Sequence, residues 1–117
     1  MEHEQIEFRD QYGCRMIDLT GQFVGGDETD ILQEILLEVA NKEAKVLIDM
    51  SEVSFASSSF LSALLSAHAR ITRRGGQIII AGMSPAVANV FTITKLDLIF
   101  TVFDTTAQAV EFIKTND

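Results

Sequence analysis

Apolar and polar residues alternate in two short stretches at the start of the chain, and apolar residues then recur at helical spacing. The two periods keep exchanging to the end. Ile6 and Phe8 alternate with polar neighbours over Gln5 to Arg9, the pattern of a half-buried strand. Tyr12-Gly13 reads as a turn and Cys14 to Thr20 as a second strand, so the chain opens with a hairpin that Gly21 ends. The Gly25-Gly26 pair marks a loop. Asp27 or Thr29 can then cap a first helix whose expected buried stripe is Ile31, Ile35, Leu36 and Val39. The β-branched run from Lys45 to Met50 suits a central strand covered on both faces.

The triplet Ser57-Ser58-Ser59 starts a second helix, with Leu61, Leu64, Leu65, His68 and Ile71 along one face. Arg70, Arg73 and Arg74 sit near its negative end, and Gly75-Gly76 terminates it. Gln77 to Ala81 holds three consecutive isoleucines, another buried strand. Ser84 caps a short helix that Pro85 opens, running through Ala86 to Thr94. Ile99 to Phe103 reads as a last strand. Asp104 or Thr105 caps a terminal helix with Ala109, Val110 and Ile113 facing inward. The order β-β-α-β-α-β-α-β-α predicts one α/β domain over residues 1–117. It is a mostly parallel central sheet with an N-terminal β-hairpin and four helices.

The length of 117 residues supports a single core without staples, and 47% apolar content fills it, with Phe, Leu, Ile and Val in place of the absent Trp. A formal net charge of −8 repels nucleic acid and anionic membrane surfaces and favours basic patches on proteins. Most of the acids, from Glu2 and Glu4 to Glu43, precede the midpoint and read as a solvated face. Cys14 is alone in an apolar alternation, so it reads as a buried structural thiol, and a cytoplasmic location is expected. No apolar run is long enough to span a bilayer.

Catalytic chemistry is not legible. There is no phosphate-binding loop or dinucleotide fingerprint, and neither cofactor nor metal is implied. His3 lies near the terminus, and His68 falls on the inward stripe of a helix with no second ligand at metal spacing. Asp49 ends a strand at the sheet's carboxyl edge, where α/β enzymes place acids, but it has no partner in the pattern. Core packing is expected for Phe55, Phe91, Phe100 and Phe103. Phe23 and Phe60 are the two whose exposure would mark a contact surface.

Three segments together resemble the STAS family, typified by bacterial anti-sigma-factor antagonists. VLIDMSEVSFASSSFLSALLSA (Val46 to Ala67) is similar to the family's apolar strand ending in Asp, short loop and Asp-Ser-Ser-Gly-Leu helix start. GGQIIIAGMSPAVANVFTITKLDLIFTVFDTTAQAV (Gly75 to Val110) resembles its second half, and IDLTGQF (Ile17 to Phe23) its approach to the first helix. The resemblance implies phosphorylation at Ser58. It also implies a partner-binding surface of Phe23, Val24, Asp27, Ser57, Ser58, Ser59 and Phe60. Ser57 stands where the family has Asp, Phe60 where it has Gly, and Val24 where it tends to have Asp.

The implied function is a non-enzymatic anti-sigma-factor antagonist. It binds an anti-sigma factor that is also a serine kinase, is switched by phosphorylation, and is reset by a serine phosphatase. Two alternatives stand beside it: a non-phosphorylated STAS scaffold or accessory subunit of a transporter ATPase, and a nucleotide-binding domain using Asp49 and the loop from Gly21 to Asp27. The oligomeric state is not legible.

Overall fold

The structure, a computed structural model, describes residues 5–115; Glu2, His3 and Glu4 lie outside them. Five strands and four helices follow in the expected order: β1 (Ile6–Gln11), β2 (Cys14–Phe23), α1 (Asp27–Lys42), β3 (Lys45–Ala56), α2 (Ser58–Arg73), β4 (Gln77–Ala81), α3 (Pro85–Ile93), β5 (Thr101–Phe103) and α4 (Thr106–Thr115). The strands lie side by side in sequence order, with β1 antiparallel to β2 and every other pair parallel.

Strand alternation divides the sheet's side chains between two layers. Ile6, Ile17, Leu19, Val46, Ile48, Met50, Ile78 and Ile80 face α1, α2 and α3 in the larger core. Cys14, Met16, Leu47, Ile79 and Ala81 point to the other side, where Ala109 and Ile113 of α4 cover them. A continuous apolar run such as Ile78-Ile79-Ile80 is thus buried on both faces. Cys14 is buried as expected, and desolvation pushes its thiol up to about 11, so it is inert at neutral pH.

Several expectations are corrected. The inward stripe of α1 is Thr29, Leu32, Leu36, Val39 and Ala40, while Ile31 and Ile35 are only half-buried at its edge. β2 runs on past Gly21 to Phe23, and β3 past Met50 to Ala56, because the two strands keep pairing beyond the point where β4 stops. The Arg74 guanidinium, expected to complement its own helix, instead donates from Nη1 to the Ala40 and Glu43 carbonyls (2.6 and 2.9 Å) at the end of α1. It satisfies acceptors that the helix leaves open. Gly76 ends the α2–β4 turn where a Cβ would lie 2.5 Å from the Ala44 carbonyl oxygen, so only glycine fits there.

The later helix starts follow the sequence closely. The Ser84 hydroxyl accepts from the Val87 amide, with Pro85 at the first helical position. Thr105, not Asp104, caps α4. Its hydroxyl accepts from the Gln108 amide and the Gln108 side chain accepts from the Thr105 amide, a reciprocal capping box.

Candidate functional site

The carboxyl ends of β2 and β3 bring two helix starts together. The Ser57 amide donates to the Phe23 carbonyl at 2.8 Å, tying the end of β2 to the start of α2. Ser57 is the N-cap: its hydroxyl accepts from the Phe60 amide at 3.3 Å, which is the work an Asp would do in the same place. Ser58 follows as the first helical residue and is exposed, as is Ser59. In the facing loop, Val24 is 55% exposed and Asp27 is exposed at the first residue of α1. Gly25, at φ +91°, presses so close that a Cβ there would be 3.4 Å from the Ser59 Oγ.

Five of the seven expected surface residues, Val24, Asp27, Ser57, Ser58 and Ser59, therefore gather at one end of the molecule. Phe23 and Phe60 do not join them and are corrected. Both are fully buried, with ring centroids 5.1 Å apart, and neither ring can touch a partner. They form the floor beneath the two loops. A glycine in place of Phe60 would leave that floor empty, so the bulky residue serves packing.

The N-terminus of α1 is held by neither Asp27 nor Thr29 as a side-chain cap; the N-cap is Gly26. Glu28 does this work by turning back. One carboxylate oxygen accepts from the amides of Val24 (3.0 Å), Gly25 (3.2 Å) and Gly26 (3.2 Å) and from the Thr29 hydroxyl. The Thr29 hydroxyl first, then the amides of Val24, Gly26 and Glu28 itself, hold the Glu28 carboxyl below its ordinary range. The loop's amides, which a phosphate would need, are thus occupied from within.

Asp49 is likewise engaged locally: its Oδ1 accepts from the Ser51 amide (3.0 Å) and hydroxyl (2.7 Å). Those bonds brace the first of two irregularities in the β2–β3 pairing, between the Asp18–Asp49 and Thr20–Glu52 pairs. The second falls between Gly21–Val53 and Gln22–Phe55, where Ser54 is the extra residue. It reverses the alternation. Val53 points inward, and Phe55, two residues on, is 49% exposed, so the expected core role of Phe55 is also corrected. With Ser54, Ala56, Ala86, Val87 and Val90, it lines a depression of about 200 Å³ whose wall includes Ala56, the residue before the serine triplet. Strand alternation alone hides this residue. The mixed run Ser54-Phe55-Ala56 just before three serines was the available signal.

His68 sits at the core edge of α2, its ring 4.9 Å from Phe100, and its buried Nδ1 has no hydrogen-bond partner among the described residues. Burial lowers its pKa. Among the described residues no group of three His, Cys, Asp or Glu side chains could hold a metal ion, and no helix is long and apolar enough to cross a membrane.

Comparison with known proteins agrees with this architecture. The chain is similar to an anti-sigma factor antagonist from Mycobacterium paratuberculosis (22% identity over 93% of this chain and 92% of that one, TM-score 0.80). It is similar to the Bacillus cell fate determinant SpoIIAA in its phosphorylated form (15% identity, 92% and 98% covered, TM-score 0.73). It also resembles a sulfate transporter family protein from Wolinella succinogenes (20% identity, 88% and 86% covered, TM-score 0.76). The search of curated protein sequences found no match. The STAS domain model matches residues 5–109, which takes in the hairpin, the serine-capped helix and the strands between them: the chain belongs to the STAS domain family.

Proposed function

We propose that this protein is an anti-sigma-factor antagonist. It binds an anti-sigma factor that is also a serine kinase and is released when that kinase phosphorylates Ser58. The observation that carries the reading is Ser58 itself, an exposed hydroxyl on the first residue of α2, at the end of the molecule that also exposes Val24, Asp27 and Ser59. A kinase can reach this hydroxyl without unfolding the domain. The unpaired amides and partial positive charge of the helix start let the domain tolerate a phosphate there.

The same phosphate is costly at an interface, because nearly two negative charges must lose their water against a partner offering no cation. A penalty of only ~3–4 kcal/mol weakens binding a few hundred-fold, a switch with no change of fold. A serine phosphatase then restores the binding form. The likeness to antagonists and to a phosphorylated relative supports the reading, as does the preserved cap geometry at Ser57. Phosphosite mapping of the protein from its native cell tests it, together with capture of the kinase by the parent and by Ser58→Asp. Modification at Ser58 and loss of capture by Ser58→Asp are expected. Modification only at other residues, or equal capture by Ser58→Asp, overturns it.

A second reading has its own observation. Val24 puts an exposed apolar side chain where the family tends to place an acid, and Phe55, near the end of β3, is a second exposed apolar residue. A scaffold or transporter-associated subunit that stays bound without phosphorylation fits such a surface. The likeness to a sulfate transporter family protein supports it. Copurification of a transporter component with an unmodified chain distinguishes this reading from the first.

A further inference from the structure

One flank of α1, at the edge of its buried stripe, carries two features that the Ser58 surface does not use. Ile31 and Ile35 are half-buried there, and with Glu34 and Glu38 they line a depression of about 240 Å³. A second depression of about 160 Å³, lined by Phe8, Arg15, Ile35, Glu38 and Val39, lies toward the β1 edge of the sheet. Ile35 and Glu38 line both, so the two depressions adjoin and form a shallow groove along the flank of α1, its second part reaching Phe8 of β1. Phe8 remains 37% exposed at its far side.

The rim has one sign of charge. Asp30, Glu34 and Glu38 are exposed at spacings of four residues, one above the next on the helix. Glu38 has a single cation, Lys42 at 3.1 Å, in a pair exposed on both sides. Asp30 and Glu34 have no cation partner among the described residues. Like charges one turn apart repel, and at the Asp30–Glu34 end of the row no cation among the described residues relieves it. Arg15, the one cation in the groove wall, is already held by Asp10 and Glu43.

The geometry points to this groove as a second docking surface, whose occupant is a basic amphipathic helix of a partner protein. Two aliphatic side chains one turn apart would fill the depressions. Lysines or arginines on the flank would face Asp30, Glu34 and Glu38. The charge argues for that occupant over two others: a second copy of this chain would set one acidic row near another, and an anionic membrane would be repelled. The surface needs no modification of Ser58, so this inference and the proposed switch can fail separately.

The test uses the whole chain and a synthetic amphipathic Leu–Lys helix about 15 residues long. A Leu–Glu peptide of the same pattern and a scrambled Leu–Lys peptide serve as controls. Amide chemical shifts are expected to change at Phe8, Ile31, Ile35 and their neighbours with the Leu–Lys helix only. Affinity is expected to fall at least about tenfold in Ile35→Asp and in the double variant Glu34→Lys, Glu38→Lys. The double variant changes only exposed residues, so it keeps the test valid if Ile35→Asp fails to fold. Shift changes elsewhere on the surface, equal binding of the scrambled peptide, or unchanged affinity in the charge-reversed variant overturn the proposal. So does a concentration-dependent dimer of the parent that the double variant abolishes, since the occupant would then be a second copy.

Discussion

The rings of Phe23 and Phe60 meet at 5.1 Å and 40°, joining the last residue of β2 to the first turn of α2 beneath the exposed serines. Neither ring is accessible, so their contact sets where the two surface loops sit.

Removing one ring therefore tests the platform. Phe60→Ala is expected to lower unfolding free energy by about 3–5 kcal/mol, the usual cost of truncating a buried aromatic. Phe60→Gly, which restores the residue common in the family, should cost still more because it adds the helix penalty of glycine. Urea denaturation of the purified variants reads both. A loss below about 1 kcal/mol would mean that the ring is not part of the core.

Ser57 carries a smaller and separable share. Its hydroxyl takes the Phe60 amide, so Ser57→Ala should cost about 1 kcal/mol, while Ser57→Asp should match or exceed the parent. The aspartate would supply the same acceptor with a charge that the helix N-terminus favours. Equal stability of the alanine and serine forms would show that the cap contributes nothing measurable.

The element order was legible because the apolar period changes cleanly between strands and helices. The caps at Ser57 and Ser84 were legible because a hydroxyl precedes an apolar helical run in each case. Three features were not. Phe60 could point inward or outward at the third helical position, and only the position of Phe23 decides between them. Phe55 obeys strand alternation in the sequence, yet the extra residue Ser54 turns it to the surface. On α1, Ile31 and Ile35 share the helical spacing of the true core stripe. They fall to its edge because Leu32, Val39 and Ala40 occupy the side facing the sheet. In each case the decisive fact is tertiary: a ring across the fold, a bulge set by pairing with β2, or the side of α1 that meets the sheet, none of which a local period encodes.

Glu28 is legible as an acid suited to the positive end of α1, but not its reach: its carboxylate turns backward to the amides of Val24, Gly25 and Gly26. Because the folded state lowers its pKa, its stabilising contribution is present above the ordinary glutamate value of about 4.3 and is lost as pH falls through the lower, folded value. Glu28→Ala should speed hydrogen exchange at the Val24 and Gly26 amides at neutral pH, while the Gly25 amide keeps the Thr29 hydroxyl (3.0 Å) and exchange in α2 is unchanged. Protection equal to the parent's would remove Glu28 from the loop.

His68 gives a pH dependence from the opposite kind of group but with the same sign. Burial against Phe100 lowers its pKa, so the unfolded chain binds the proton more readily than the folded one. Its contribution is whole above the ordinary imidazole value of about 6.5 and shrinks as pH falls below it, because protonation would place a charge in a partly desolvated site with no acceptor at Nδ1 among the described residues. Carboxylates such as Glu28 begin to matter only at lower pH, which separates the two effects. His68→Phe keeps an aromatic contact with Phe100 and cannot titrate. The parent should therefore lose stability relative to His68→Phe between about pH 7 and pH 5, in paired denaturation curves. Parallel pH profiles for the two proteins would mean that the imidazole is solvated in both the folded and the unfolded states.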